Sequence, residues 1–231
     1  MEKRATIKIA VDTGMTILLL LLMAYELVGR EAHEWLGAGM FALFIAHHCL
    51  NWRWSRSLLR GKYPPMRILQ TVLAGLVFLT MLGSLVSAVL VSREVFAFLP
   101  ISGGRELGRT LHMLSAYWGF VLLSLHLGLH WGAMLRRAGR LLRGPSRLRT
   151  IALRIAGAAI AIYGAYAFLQ RGIPGYLFLQ SQFVFFDFEE PLIFFFLDYL
   201  AAMGLFVWLG HWLTKAMLRR QGKRGRGIEP G

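Results

Sequence analysis

Four of the seven histidines in this 231-residue chain form two matched pairs, His33 with His47 and His112 with His126, each fourteen residues apart inside an apolar stretch. A neutral imidazole is a good ligand for iron and other transition metals. Fourteen residues of α-helix rise about 21 Å and leave the two side chains about 40° apart around the axis. Each stretch therefore offers one imidazole near each of its ends, on nearly one face. Two such helices lying side by side in the same direction bring His33 opposite His112 and His47 opposite His126. Bis-histidine ligation of two stacked hemes is the chemistry that requires this pattern.

Three further histidines leave the inner pair open. His48 follows His47 and is rotated about 100° from it, so the two cannot both face one heme. His130 lies eighteen residues from His112, about five turns, and shares its face about 6 Å deeper than His126. Equal spacing favours His47 with His126, while His130 is the main alternative or a hydrogen-bonding partner of a propionate, a quinone or the neighbouring imidazole. His211 has no counterpart and reads as an interfacial or hydrogen-bonding residue. Gly119 lies seven residues from both His112 and His126, where a missing side chain leaves room for macrocycles. Heme propionates need cationic partners, and Arg30, Arg105 and Arg109 are available at one end, Arg53 and Arg136 at the other. The His126, His130 spacing alone would suit zinc or a di-iron centre, but no H-E-x-x-H and no convergent carboxylates accompany it. Cys49 is the only cysteine, which excludes an intramolecular disulfide, a thiolate zinc cluster and a C-x-x-C-H heme attachment site. Any heme is therefore noncovalent heme b.

The elements that carry these residues are membrane helices. The chain is 56% hydrophobic and 16% charged, and six stretches reach the roughly 20 apolar residues that a bilayer core requires. They run approximately over 10–28, 33–52, 67–92, 110–134, 150–170 and 190–213. The first follows Lys3, Arg4 and Lys8 but has no small-residue cleavage site after it, so it reads as a retained helix. The net charge of +14 does not point to nucleic acid, because the basic residues alternate from connection to connection. Twenty of the 26 Lys and Arg residues fall at the N-terminus, between spans two and three, between spans four and five, and after span six. That is the positive-inside pattern for an even number of spans. The expectation is an all-α integral membrane six-helix bundle with both termini cytoplasmic, comprising residues 1–217, followed by a basic disordered tail over 218–231. The location is a bacterial-type inner (plasma) membrane, multi-pass, with lipids as direct partners and a homo-oligomer compatible with the sequence. Spans two and four then run the same way, as paired histidines need.

At H-E-W-L-G from His33, H-H-C-L-N-W-R-W from His47, L-H-M-L-S-A-Y-W-G-F from Leu111, S-L-H-L-G-L-H-W from Ser124 and F-F-D-F-E-E-P from Phe185, the chain resembles the flavinylation-associated cytochromes. That family was formerly a domain of unknown function, and its wider likeness is to membrane diheme cytochromes b. The resemblance implies two b hemes held by His33, His47, His112 and His126, with His130 in the same motif. It also implies electron transfer between the quinone pool or another donor and extracytosolic proteins carrying covalent flavin. Nothing in this sequence reads as a flavin-binding domain, so flavin belongs to a partner.

Residues 176–199 hold ten phenylalanines and tyrosines together with Asp187, Glu189, Glu190 and Asp198. They read as an interfacial aromatic belt, or as a quinone pocket or docking surface, with Asp198 the candidate acceptor of a quinol proton. A self-contained membrane quinol oxidoreductase is thus a second reading of the chain. A heme-free scaffold or transporter with a histidine proton relay is a third.

Overall fold

In a computed structural model the chain is all-helical; the structure describes residues 2–101, 103–141, 146–181 and 183–226, and among these there is no strand. The helices in chain order are α1 Glu2–Met23, α2 Tyr25–Leu50, α3 Trp52–Ser57, α4 Pro65–Val91, α5 Arg105–Leu141, α6 Arg147–Gln170, α7 Ile173–Leu177 and α8 Leu192–Arg226. Five of them, α1, α4, α5, α6 and α8, are long and apolar enough to cross a membrane. The protein is a multi-pass membrane protein. At 26 residues α2 has the length as well, but His33, His47, His48, Glu26 and Glu34 lower its hydropathy.

The distribution of burial follows from lipid as the surrounding solvent. Val72, Leu76, Leu79 and Val86 on α4 and Ile155, Ile162 and Leu169 on α6 face outward, while Ser87, Ser115, Ser124 and Asp198 are buried. A water-soluble protein hides its aliphatic residues and exposes its polar ones. In a bilayer the hydrocarbon solvates the aliphatic faces, and polar or small residues mediate helix contacts.

Several boundaries differ from those expected. The first span closes at Met23 rather than near residue 28, and the chain turns at Ala24 and again at Gly29, whose φ of 76° and ψ of 165° interrupt the helix recorded as α2. Regular helix therefore begins at Arg30, three residues before His33. That backbone conformation is open to glycine and strained for any residue with a Cβ. A Cβ at Gly29 would meet nothing within 4 Å, so Gly29→Ala should cost about 1–3 kcal/mol through the backbone alone. Thermal unfolding of the detergent-solubilised variant checks this, and an unchanged midpoint would show that the turn tolerates a side chain.

Gly61, with φ 86°, and Gly103 and Gly104, with φ 96° and 73°, make the turns expected of them, and Pro65 opens α4, where its missing N–H is not needed. α5 continues through Arg136 and Arg137 to Leu141, whereas the expected break at Gly144 and Pro145 lies outside the described residues. α8 continues to Arg226. Residues 218–226 of the stretch expected to be a disordered tail are thus helical, and residues 227–231 lie outside the described part.

The chain divides into two compact units, residues 1–62, 79–118 and 175–189 forming the first and residues 63–78, 119–174 and 190–231 the second. In the first, α1 and α2 form an antiparallel hairpin in which Gly14 packs on Leu43 and Gly39 on Leu18. The second half of α4 and the first half of α5 form another, with Gly83 against Ser115 and Gly108 against Leu90 and Val91. Met40, Phe44, Met81, Tyr117 and Tyr176 are buried there. In the second unit α6 and α8 are antiparallel, Gly164 lying on the Ala201 backbone and Gly157 beside Trp208. Gly128 of α5 meets Gly210 of α8, where a Cβ on either would fall 3.0 Å from the other's Cα. Close backbone approach at small residues is the usual contact between helices in lipid.

Candidate functional site: the outer histidine pair

The first unit brings His33 and His112 together. Their ring centroids are 5.9 Å apart with planes inclined at 69°. Glu34, next to His33, accepts hydrogen bonds from the Ser92 hydroxyl at 2.6 Å and from the backbone N–H groups of Arg93, Glu94 and Val95 at 3.0 Å each. Arg30 pairs with Glu94 at 3.1 Å. One carboxylate that satisfies four donors fixes the start of α2 against the segment that leads from α4 into α5, and so sets the height of His33.

The tautomer of His112 follows from its neighbours. Ser87 Oγ donates its only proton to the Ser84 carbonyl at 3.0 Å, so toward His112 Nδ1, also at 3.0 Å, it can only accept. With the hydroxyl proton on the Ser84 carbonyl, Nδ1–H is the donor to Ser87 and Nε2 keeps its lone pair. Metal-ligating histidines are oriented by such a bond from the other ring nitrogen. Ser87 is fully buried and was not singled out from the sequence. The signal was available, because a hairpin turning near residue 99 places residue 87 opposite residue 112. His33 Nδ1 is buried with no hydrogen-bond partner, and the Tyr25 ring packs edge-on against the imidazole at 5.1 Å.

The 5.9 Å separation of the two rings is compatible with a metal held between them. Metal–imidazole bonds of about 2 Å on opposite sides of one ion put ring centroids about 6 Å apart, close to the spacing of His33 and His112. Among the described residues no three His, Cys, Asp or Glu side chains converge as ligands for a metal ion. Two donors suffice where a porphyrin supplies the other four. If the pair holds a heme, Ser87→Ala should weaken its retention by about 10-fold or more, since loss of such an orienting partner typically costs that much in affinity. A heme titration of the variant measures it, and wild-type affinity would show that the bond is incidental.

The remaining sequence-predicted residues are placed as follows. Arg109 is exposed one turn before His112, and Gly119 is buried on α5 seven residues beyond it. His47 belongs to the first unit and His126 to the second. His47 Nδ1 lies 2.7 Å from Asp12 Oδ1, and its Nε2 lies 3.3 Å from the Asn51 amide nitrogen. His48 packs edge-on against Phe44 at 4.5 Å. His126 and His130 lie one turn apart on α5 with ring centroids at 5.0 Å. His130 is exposed and His126 partly buried. His211 packs edge-on against Trp212.

Asp198 is buried, as its place in an apolar helix suggested, but its oxygens are already used. Tyr163 donates to Oδ1 at 2.5 Å and Arg171 Nε to Oδ2 at 2.8 Å. Arg171 also forks onto Glu190, through Nη1 to Oε2 and Nη2 to Oε1. Hydrogen bonding to Glu190, and then to Asp198, holds the Arg171 guanidinium pKa above its ordinary value. Both Asp198 oxygens thus already accept hydrogen bonds. Its role in the second unit is to tie α6 to α8. Compared with known proteins, the chain matches no family model, no curated protein and no solved structure.

Proposed function

We propose that the protein is a membrane-spanning electron carrier that holds a b-type heme between His33 and His112. The observation that carries this reading is the approach of those two imidazoles, with Ser87 leaving Nε2 of His112 available. Heme, when bound, supplies reversible one-electron redox chemistry, and the protein's contribution is the ligand set, the burial and the hydrogen bonds that tune it. His33 and His112 would hold it through their ring nitrogens. Glu34 holds the α2 ligand in place, Ser87 holds the α5 ligand in its Nδ1–H tautomer, and Tyr25 covers the imidazole of His33. Arg109, one turn from His112, is the cationic partner for a propionate at that end.

A second heme on the inner histidines is supported by the fourteen-residue spacing, with His47 and His126 the preferred ligands and His130 the alternative. Six spans, with α2 as the one of lower hydropathy, and both termini on the cytoplasmic side are supported by the charge alternation. That orientation puts the His33, His112 pair toward the outside of a plasma-membrane-type bilayer, where a flavin-carrying redox protein would be the acceptor or donor. Quinone is a candidate second redox partner.

Heme-loaded protein in vesicles with trapped ferricyanide, given membrane-impermeant dithionite outside, tests the function. Protein-dependent reduction of the trapped oxidant is expected, and it should be lost in His112→Ala. Heme-containing vesicles that react no faster than empty ones would defeat the proposal.

A further inference from the structure

A different part of the first unit carries a binding site of its own. Where α1 begins and α2 gives way to α3, a cavity of about 420 Å³ is lined by Arg4, Ala5, Lys8, Leu50, Asn51, Arg53 and Trp54. Three of these seven residues are cations, and among the described residues none of the lining groups is a carboxylate. The cations are not randomly splayed. Arg4 and Lys8 are one turn apart on one face of α1. Arg4 Nη2 donates to the Leu50 carbonyl at the end of α2 at 3.2 Å, and Lys8 Nζ donates to Asn51 Oδ1 at 2.7 Å. Asn51 is fixed in turn by donating to the His47 carbonyl at 2.9 Å. Asp12, one turn beyond Lys8 on α1, is turned to His47 at 2.7 Å and does not line the cavity.

We propose that this cavity binds the phosphate-bearing headgroup of an anionic phospholipid. Two held cations and a third beside them, with several donors left over, match the charge and the acceptor oxygens of a phosphodiester. A neutral ligand would not need three cations. The apolar setting favours a lipid over free phosphate: Ile7 and Ile9, which flank Lys8 on α1, stand about half exposed, at 52% and 49%, where acyl chains would cover them. Trp54 is 38% exposed at the rim, in keeping with the preference of indole for the headgroup level. Basic pockets beside membrane helices recognise anionic headgroups through this combination of charge and apolar contact.

Native mass spectrometry of the delipidated full chain in detergent, titrated separately with phosphatidylglycerol, phosphatidylcholine and inorganic phosphate, provides the test. Wild-type protein should retain phosphatidylglycerol at least about 10-fold more tightly than phosphatidylcholine. Arg4→Gln combined with Arg53→Gln should weaken phosphatidylglycerol about 30-fold, each surface cation being worth about fivefold. Lys8→Gln alone should weaken it about fivefold, which keeps the site testable if the double variant misfolds by circular dichroism. Equal retention of the two lipids, or variants that bind phosphatidylglycerol like wild type, would overturn the proposal. Displacement of bound phosphatidylglycerol by inorganic phosphate at equimolar concentration would show a free-phosphate site and also overturn it. None of these readouts depends on heme.

Discussion

If a heme is held between His33 and His112, His112→Ala is expected to remove about one heme per chain, because a bis-histidine iron loses half of its protein ligation when either imidazole goes. His33→Ala should do the same, and the double variant should lose no more than either single one, since the two residues act on one cofactor. The hairpin of α4 and α5 packs through Gly83 against Ser115 and Gly108 against Leu90, and neither contact involves the imidazole. Helicity should therefore be retained, which separates loss of a ligand from loss of the fold. Heme counted by pyridine hemochrome against protein by amino-acid analysis gives the ratio. Wild-type stoichiometry in both single variants would show that the approach of the rings to 5.9 Å serves packing only.

Arg171→Met is expected to destabilise the protein by about 3–5 kcal/mol, the usual cost of removing one partner from a buried ionic cluster. The side chains of Arg171, Glu190 and Asp198 are only 18%, 22% and 11% exposed. Without the guanidinium, Glu190 loses both of its hydrogen bonds from Arg171 and Asp198 keeps the one from Tyr163. Adding Glu190→Gln and Asp198→Asn to Arg171→Met should recover part of the loss, because neutral groups of the same shape no longer need the cation. Chemical denaturation in detergent followed by circular dichroism measures both. Equal stability of Arg171→Met and wild type would mean that the cluster contributes nothing to holding α6 and α8 together.

The all-helical membrane class and the approach of His33 to His112 were legible because each depends on local, periodic information. Apolar runs of helix length and a fourteen-residue repeat are visible in a single sequence, and antiparallel hairpins leave few alternatives for how the carriers of His33 and His112 meet. Helix ends were less legible. The turn at Ala24 and Gly29 depends on one glycine at positive φ among residues that charge patterning assigns to a loop, and α5 and α8 continue through arginines that hydropathy treats as the end of a span. What the sequence hides is side-chain pairing across long separations. Asp12 lies 35 residues before His47, and Tyr163 lies 35 before Asp198, and no periodicity links them. Asp198 could therefore be picked out as an unusual buried carboxylate, but not as one already bound by Tyr163 and Arg171. Nor does any periodicity link Glu34 to residues 92–95, which it binds beside the outer pair.

The absorption spectrum of the purified full-length protein, before and after dithionite, tests the central claim most directly. Ligation by His33 and His112 predicts a red preparation whose reduced form shows the sharp α and β bands of a six-coordinate b-type heme, diminished in His33→Ala and in His112→Ala. A colourless protein that gains no such bands when expressed or reconstituted with heme would contradict it.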